Sequence, residues 1–147
     1  MTQVDFHFNA PEKLPYVCRL LRKASGQGKR VGVWAEPETC QLLSQLLWNL
    51  NPSDFVTHCL VNDPANVLEK SSVVLFSQWT DLNQLQTRDA YLNLYETPPP
   101  HLDSINRLIE VVGPEERDKA SARQRWKHYS QLGFQINRFD LATSNAS

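Results

Sequence analysis

Lys119, Arg123, Trp126 and Lys127 stand within nine residues of one another, in a segment where every neighbouring feature favours a helix. A helix turns by about 100° per residue. With Lys119 taken as zero, Arg123 falls near 40°, Trp126 near −20°, Ser130 near 20° and Lys127 near 80°, all about one stripe. Ala122, Tyr129 and Leu132 fall on the other side, which faces a core. Arg125 falls among them, so it must snorkel or find a carboxylate. The stripe has a definite chemistry. Arginine grips a carboxylate with two parallel hydrogen bonds, lysine adds a point charge, and the indole supplies an apolar wall. Together they suit an anionic, partly apolar peptide. The alternative is a solvated helix face whose cations complement the helix dipole. Nucleic acid is a third reading, and so few cations predict no strong direct binding to it.

Charge supports a local site. The whole chain carries 15 Lys+Arg and 16 Asp+Glu, a net −1. Residues 117–138 hold six of those cations against Asp118 alone, so a basic C-terminal segment sits on a body that is acidic in sum. A second feature is aromatic: Trp48 and Phe55 bracket a helix-to-strand loop. Both can belong to the core; exposed, they would anchor a protein partner.

Other chemistry is missing. No GxGxxG follows the first strand and no GxSxG elbow occurs. Ser25–Arg30 resembles a phosphate loop only in composition, because it follows a helix and precedes a strand. Glu36/Glu38 and Glu115/Glu116 suit the first turns of helices. The four histidines show no HxxxH or HExxH pairing, so neither a metal nor a cofactor is expected. Cys18, Cys40 and Cys59 lack CxxC spacing and lie in apolar stretches, as buried reduced thiols do. With no run of about 18 apolar residues and no secretory-type start, the expected location is cytoplasmic, with no membrane association.

The elements that must position the stripe are legible. Val4–Phe8 alternates like a strand, and residues 14–24 carry apolar positions at helical spacing, ended by Gly26 and Gly28. Arg30–Ala35 is a nearly all-apolar strand, of the kind buried on both faces of a parallel sheet. Pro37 and two glutamates open a second helix that stops before Pro52. Residues 55–61, 72–77, 91–95 and 107–112 read as further strands. Pro114 then starts the best-marked helix, which Gly133 ends, and 134–139 forms a last strand. Strands alternating with helices predict one α/β domain over residues 1–142, with a mostly parallel sheet flanked by helices and a short polar tail at 143–147. The strand-rich middle leaves antiparallel edges open. A nucleotide- or small-molecule-binding α/β enzyme remains the alternative, on fold analogy alone.

These residues also resemble a family. DFHF, SGQGKRVGVWAE, LLW…PSDFVTH and RLIEVV, in that order, and above all ARQRWKHYSQLGFQIN (Ala122–Asn137), make the chain similar to the chi subunit of bacterial DNA polymerase III, an accessory protein of the clamp-loader complex. The resemblance implies a Rossmann-like fold without catalysis. It also implies two partners, the psi subunit and the acidic C-terminal tail of single-stranded DNA-binding protein, which ends in a Phe carboxylate. By position it assigns the tail to Lys119, Arg123, Trp126 and Lys127, with Val112 and Trp48 as looser apolar lining, and psi to Phe55. A repair helicase sharing the psi surface stays an open alternative. Two departures stand out: Trp126 stands where a Tyr can occur in the family, which keeps a flat apolar wall, and Ser130 stands where a further cation can occur, which would weaken the tail site.

Overall fold

A computed structural model describes residues 2–49, 58–60, 72–78, 88–100, 102 and 105–141. Its strands are β1 (Gln3–Phe8), β2 (Val31–Trp34), β3 (His58–Leu60), β4 (Val73–Phe76), β5 (Ala90–Asn93), β6 (Arg107–Val111) and β7 (Gln135–Asp140). The helices among the described residues are α1 (Lys13–Gly26), α2 (Pro37–Trp48) and α3 (Glu116–Gln131). The strands form one sheet in the order β3-β4-β2-β5-β6-β1-β7. Every described pairing is parallel, so the antiparallel edges left open by the sequence do not form among these strands.

Period-two alternation divides the side chains between two cores. Val4, Phe6, Val74, Phe76 and Leu108 point to one face, where Ala122 and Tyr129 of α3 cover them. Val31, Val33, Val73, Leu75 and Val111 point to the other, beneath Val17, Cys18 and Leu21 of α1 and Cys40, Leu43 and Leu47 of α2. The central strands β2, β4 and β5 are buried throughout, as a sheet covered on both faces requires. Cys18 and Cys40 are buried thiols, and burial pushes the Cys40 thiol up to about 11, far from a reactive thiolate.

Helix ends follow the composition closely. Pro37 occupies the first turn of α2 with Glu36 as N-cap. In α3, Glu116 and Asp118 lie in the first turn, but the N-cap is Glu115, so Pro114 sits just outside the helix it was expected to start. Asp118 secures that end: its Oδ2 accepts the Gly113 N–H at 2.7 Å and lies 3.3 Å from Lys13 Nζ. Leu132, expected in the core, is half exposed, because the helix ends there and Leu132 is its C-cap. Gly133 follows at φ +78°, a left-handed conformation that glycine adopts without a Cβ penalty. Gly32 is needed for a different reason: a Cβ there would lie 2.7 Å from the Tyr91 ring.

β1 lies between β6 and β7. The N-terminal strand is therefore clamped by the last two strands, and its end, Phe8, reaches the face carrying α3.

Candidate functional site

Trp126 rests on the first strand. Its ring centroid lies 5.0 Å from that of Phe6 and 6.0 Å from that of Phe8, in tilted contacts of the kind aromatic pairs favour. Phe6 and Phe8 stack at 5.5 Å, and Phe6 also meets Tyr129. Phe6 is fully buried, so Trp126 is half-buried and keeps one side open. From the neighbouring edge strand, Arg138 lays its guanidinium 5.2 Å over the Phe8 ring, a cation–π contact.

These groups surround a cavity of about 410 Å³ lined by Phe8, Asn9, Lys119, Arg123, Trp126 and Arg138. Three cations thus border two aromatic rings, and no described lining residue is acidic. Two neighbouring carboxylates are engaged elsewhere: Asp118 with Lys13 and Gly113, and Asp140 with the Asn9 side-chain amide at 2.9 Å. Asn9 is left-handed at φ +62°, which asparagine tolerates better than most residues. The turn there is fixed by the backbone of Val112, whose N–H donates to His7 O and whose C=O accepts the Ala10 N–H.

Lys119, Arg123 and Trp126 are therefore brought together as the helical stripe requires. Lys127 is not in that cavity. A further turn around α3 sends it to a groove of about 1050 Å³ on the other flank, beside Glu96, the Pro98–Pro100 triplet and Leu132. Val112 has no exposed surface and belongs to the core under Trp126, so it supports the cavity wall instead of lining it. Trp48 is 63% exposed, but it ends α2 on the opposite face of the sheet and cannot share a cavity with Trp126. Phe55 lies outside the described residues. Sequence periodicity missed Phe8, Asn9 and Arg138, because they join α3 only through the β1–β7 pairing.

α3 is held in place by a buried polar cluster. Arg125 is 2% exposed and its Nε donates to Glu110 Oε1 at 3.1 Å, Glu110 being wholly buried on β6. This is the carboxylate partner that the position of Arg125 demanded. Tyr129 Oη–H and Asn93 Nδ2 donate to Glu110 Oε2. Arg125 Nη1 also donates to Glu96 O and Ser121 Oγ. Burial raises the Glu110 pKa, opposed by Arg125 and by the Tyr129 and Asn93 hydrogen bonds. Burial and the adjacent carboxylate likewise push the Tyr129 phenol upward, so it stays a donor. The cluster joins α3 to β5 and β6 and so fixes the height of Arg123 and Trp126 above the sheet.

Comparison with known proteins agrees with this architecture. Among solved structures, the C-terminal domain of the DEAD-box protein Dbp5 superposes with a TM-score of 0.62, covering 96% of this chain and 91% of that one. At 10% identity this likeness concerns the fold alone. The DNA polymerase III subunit chi of Haemophilus influenzae is 26% identical over 121 residues, covering 82% of this chain and 81% of that protein. Its namesake in Pseudomonas aeruginosa is 27% identical over 141 residues, covering 92% and 94%. That of Escherichia coli is 26% identical over 137 residues, covering 92% and 88%. The family model for the DNA polymerase III chi subunit, HolC, matches residues 1–137, and the chain accordingly belongs to the chi subunit family.

Proposed function

We propose that the chain is a non-catalytic accessory subunit that links the clamp-loader complex of a bacterial DNA polymerase III, through the psi subunit, to the acidic C-terminal tail of single-stranded DNA-binding protein. The supporting observation is the cavity where Lys119, Arg123 and Arg138 border Trp126 and Phe8. A terminal Phe ring can pack against the open side of Trp126, beside the Phe8 ring it already touches. Its carboxylate then meets the Arg123 fork, and the acidic residues before it meet Lys119 and Arg138. Arg138 supplies a cation where Ser130 does not. Lys127, on the other flank of α3, adds only longer-range attraction.

Calorimetric titration with an acidic peptide ending in Phe tests this reading. Arg123→Ala should weaken binding by about 1–3 kcal/mol, the scale of a lost charge-assisted hydrogen bond, or roughly 5- to 150-fold. Arg138→Ala should act in the same direction. Removing the terminal Phe should abolish binding, whereas added salt should only weaken it. Unchanged affinity in Arg123→Ala would overturn the assignment. For psi, Phe55→Ala should impair co-purification while the variant stays folded; normal co-purification would remove Phe55 from that interface.

A further inference from the structure

A second basic run belongs to the sheet face opposite α3, apart from Lys13, which reaches Asp118 at the edge. Residues 13–35 contain Lys13, Arg19, Arg22, Lys23, Lys29 and Arg30 and no acidic residue. The acidic sum of the body conceals it. On α1, Arg19 and Lys23 are exposed on the flank that faces the β6–β1–β7 side of the sheet. There a cavity of about 420 Å³ opens, bordered by Lys23, Lys29 and Arg107 together with Leu20, Ile109 and Phe139.

His7 and Phe139 line the same cavity, and Tyr16 adjoins it through His7. His7 Nδ1 and Tyr16 Oη are hydrogen-bonded at 2.6 Å. The His7 ring lies 5.0 Å from Phe139, which is 46% exposed, and Arg19 sits 5.6 Å over the Tyr16 ring. Burial lowers the His7 pKa, so at neutral pH it presents an uncharged ring. Among the described residues, the carboxylates facing this surface are Asp5 and Asp89, and both accept hydrogen bonds. Asp5 is held by Arg107 and Asn137, with Arg107 still half exposed, and Asp89 accepts the Arg30 backbone N–H at 2.7 Å.

We infer that this surface, between α1 and the β6–β1–β7 edge, is a contact site for single-stranded nucleic acid, with Arg19, Lys23 and Lys29 on the phosphates and Phe139 and Tyr16 against the bases. Cations alternating with open rings are what a single strand needs, because every base has a face to stack. An acidic peptide without aromatic residues would use the cations and leave the rings idle. The site lies on the sheet face opposite α3, so a strand here and a ligand beside Trp126 do not compete. Three or four phosphate contacts are too few to hold DNA alone. They suit a contact made once the chain is already tethered near the strand.

Fluorescence anisotropy of the full chain with a labelled oligothymidine of about 20 nucleotides, at about 25 mM salt and upward, tests the inference. Saturable binding is expected, with a log–log salt slope of about −2 to −3 for three or four phosphates. Lys23→Glu/Lys29→Glu should reduce affinity at least about tenfold, and Phe139→Ala at least about fivefold, while Arg123→Ala leaves it unchanged. Thermal melting checks that each variant is folded. The inference is overturned by absence of saturable binding at low salt, by unchanged affinity in the folded double variant, or by loss of binding in Arg123→Ala. Displacement of the oligonucleotide by a polyglutamate peptide that binds more tightly also overturns it, since the surface would then read charge alone.

Discussion

Arg125→Met should destabilise the protein severely, and the loss should depend on pH. The substitution keeps an unbranched, similarly long side chain but removes the cation. Glu110, wholly buried, would keep only Tyr129 and Asn93 as donors, Ser121 Oγ would lose the Arg125 donor, and Glu96 O would keep only the Ser121 hydroxyl. Breaking one side of a buried ion pair costs about 3–5 kcal/mol, chiefly because the remaining charge is stranded. At about 2–4 °C per kcal/mol for a chain of this size, the melting temperature should fall by roughly 6–20 °C. The sign with pH follows from Glu110. Its folded pKa is already raised above its ordinary 4.5 by burial, and losing Arg125 raises it further. A group with a raised folded pKa contributes its full stability below the unfolded value and loses it as pH rises through the folded one. The deficit should therefore be largest near pH 7 and shrink toward about pH 5. Urea unfolding of wild type and variant across that range measures it. Glu110→Leu combined with Arg125→Met removes both charges and should recover most of the stability. A loss below about 1 kcal/mol at neutral pH, or a double variant as unstable as the single one, would refute the reasoning.

Three other outcomes are expected. Burial works to raise the Asp5 carboxyl, but hydrogen bonds from Asn137, Arg107 and Gln3 outweigh it and leave the pKa lowered; its contribution is present above the ordinary 3.8 and lost as pH falls through the folded value, so the gap in melting temperature between wild type and Asp5→Asn should close on acidification, and a constant gap would count against it. Gly32→Ala should cost about 1–3 kcal/mol in urea unfolding, since its Cβ would lie 2.7 Å from the Tyr91 ring; a neutral result would mean the ring moves freely. Trp126→Phe should retain most peptide affinity while Trp126→Ala loses it, because the ring wall matters more than the indole N–H; equal calorimetric losses in both would argue otherwise.

Much of the fold was legible because its signals are local. Proline and an acid mark the first turn of α2, acids mark that of α3, glycine marks the exit from α3, and apolar runs mark strands buried on both faces. The Lys119–Arg123–Trp126 stripe was legible for the same reason, since one helix carries all three. Arg125 among apolar positions announced a buried partner, though not that it would be Glu110. The basic run at 13–35 was visible in composition but cancelled in the sum by acids elsewhere.

By itself, then, the sequence determined which segments are helix or strand and which side chains share one helical face, because both depend on neighbours a few residues apart. The tertiary structure alone decided which faces meet. Inserting β1 between β6 and β7 brings Phe8 to Trp126 across well over a hundred residues of chain and sets Arg138 over the Phe8 ring, and no periodicity encodes a pairing at that distance. The same sheet separates Trp48 from Trp126, since α2 and α3 pack on opposite faces. Strand order, set by the burial of all the apolar faces at once, turns a stripe of cations into a cavity.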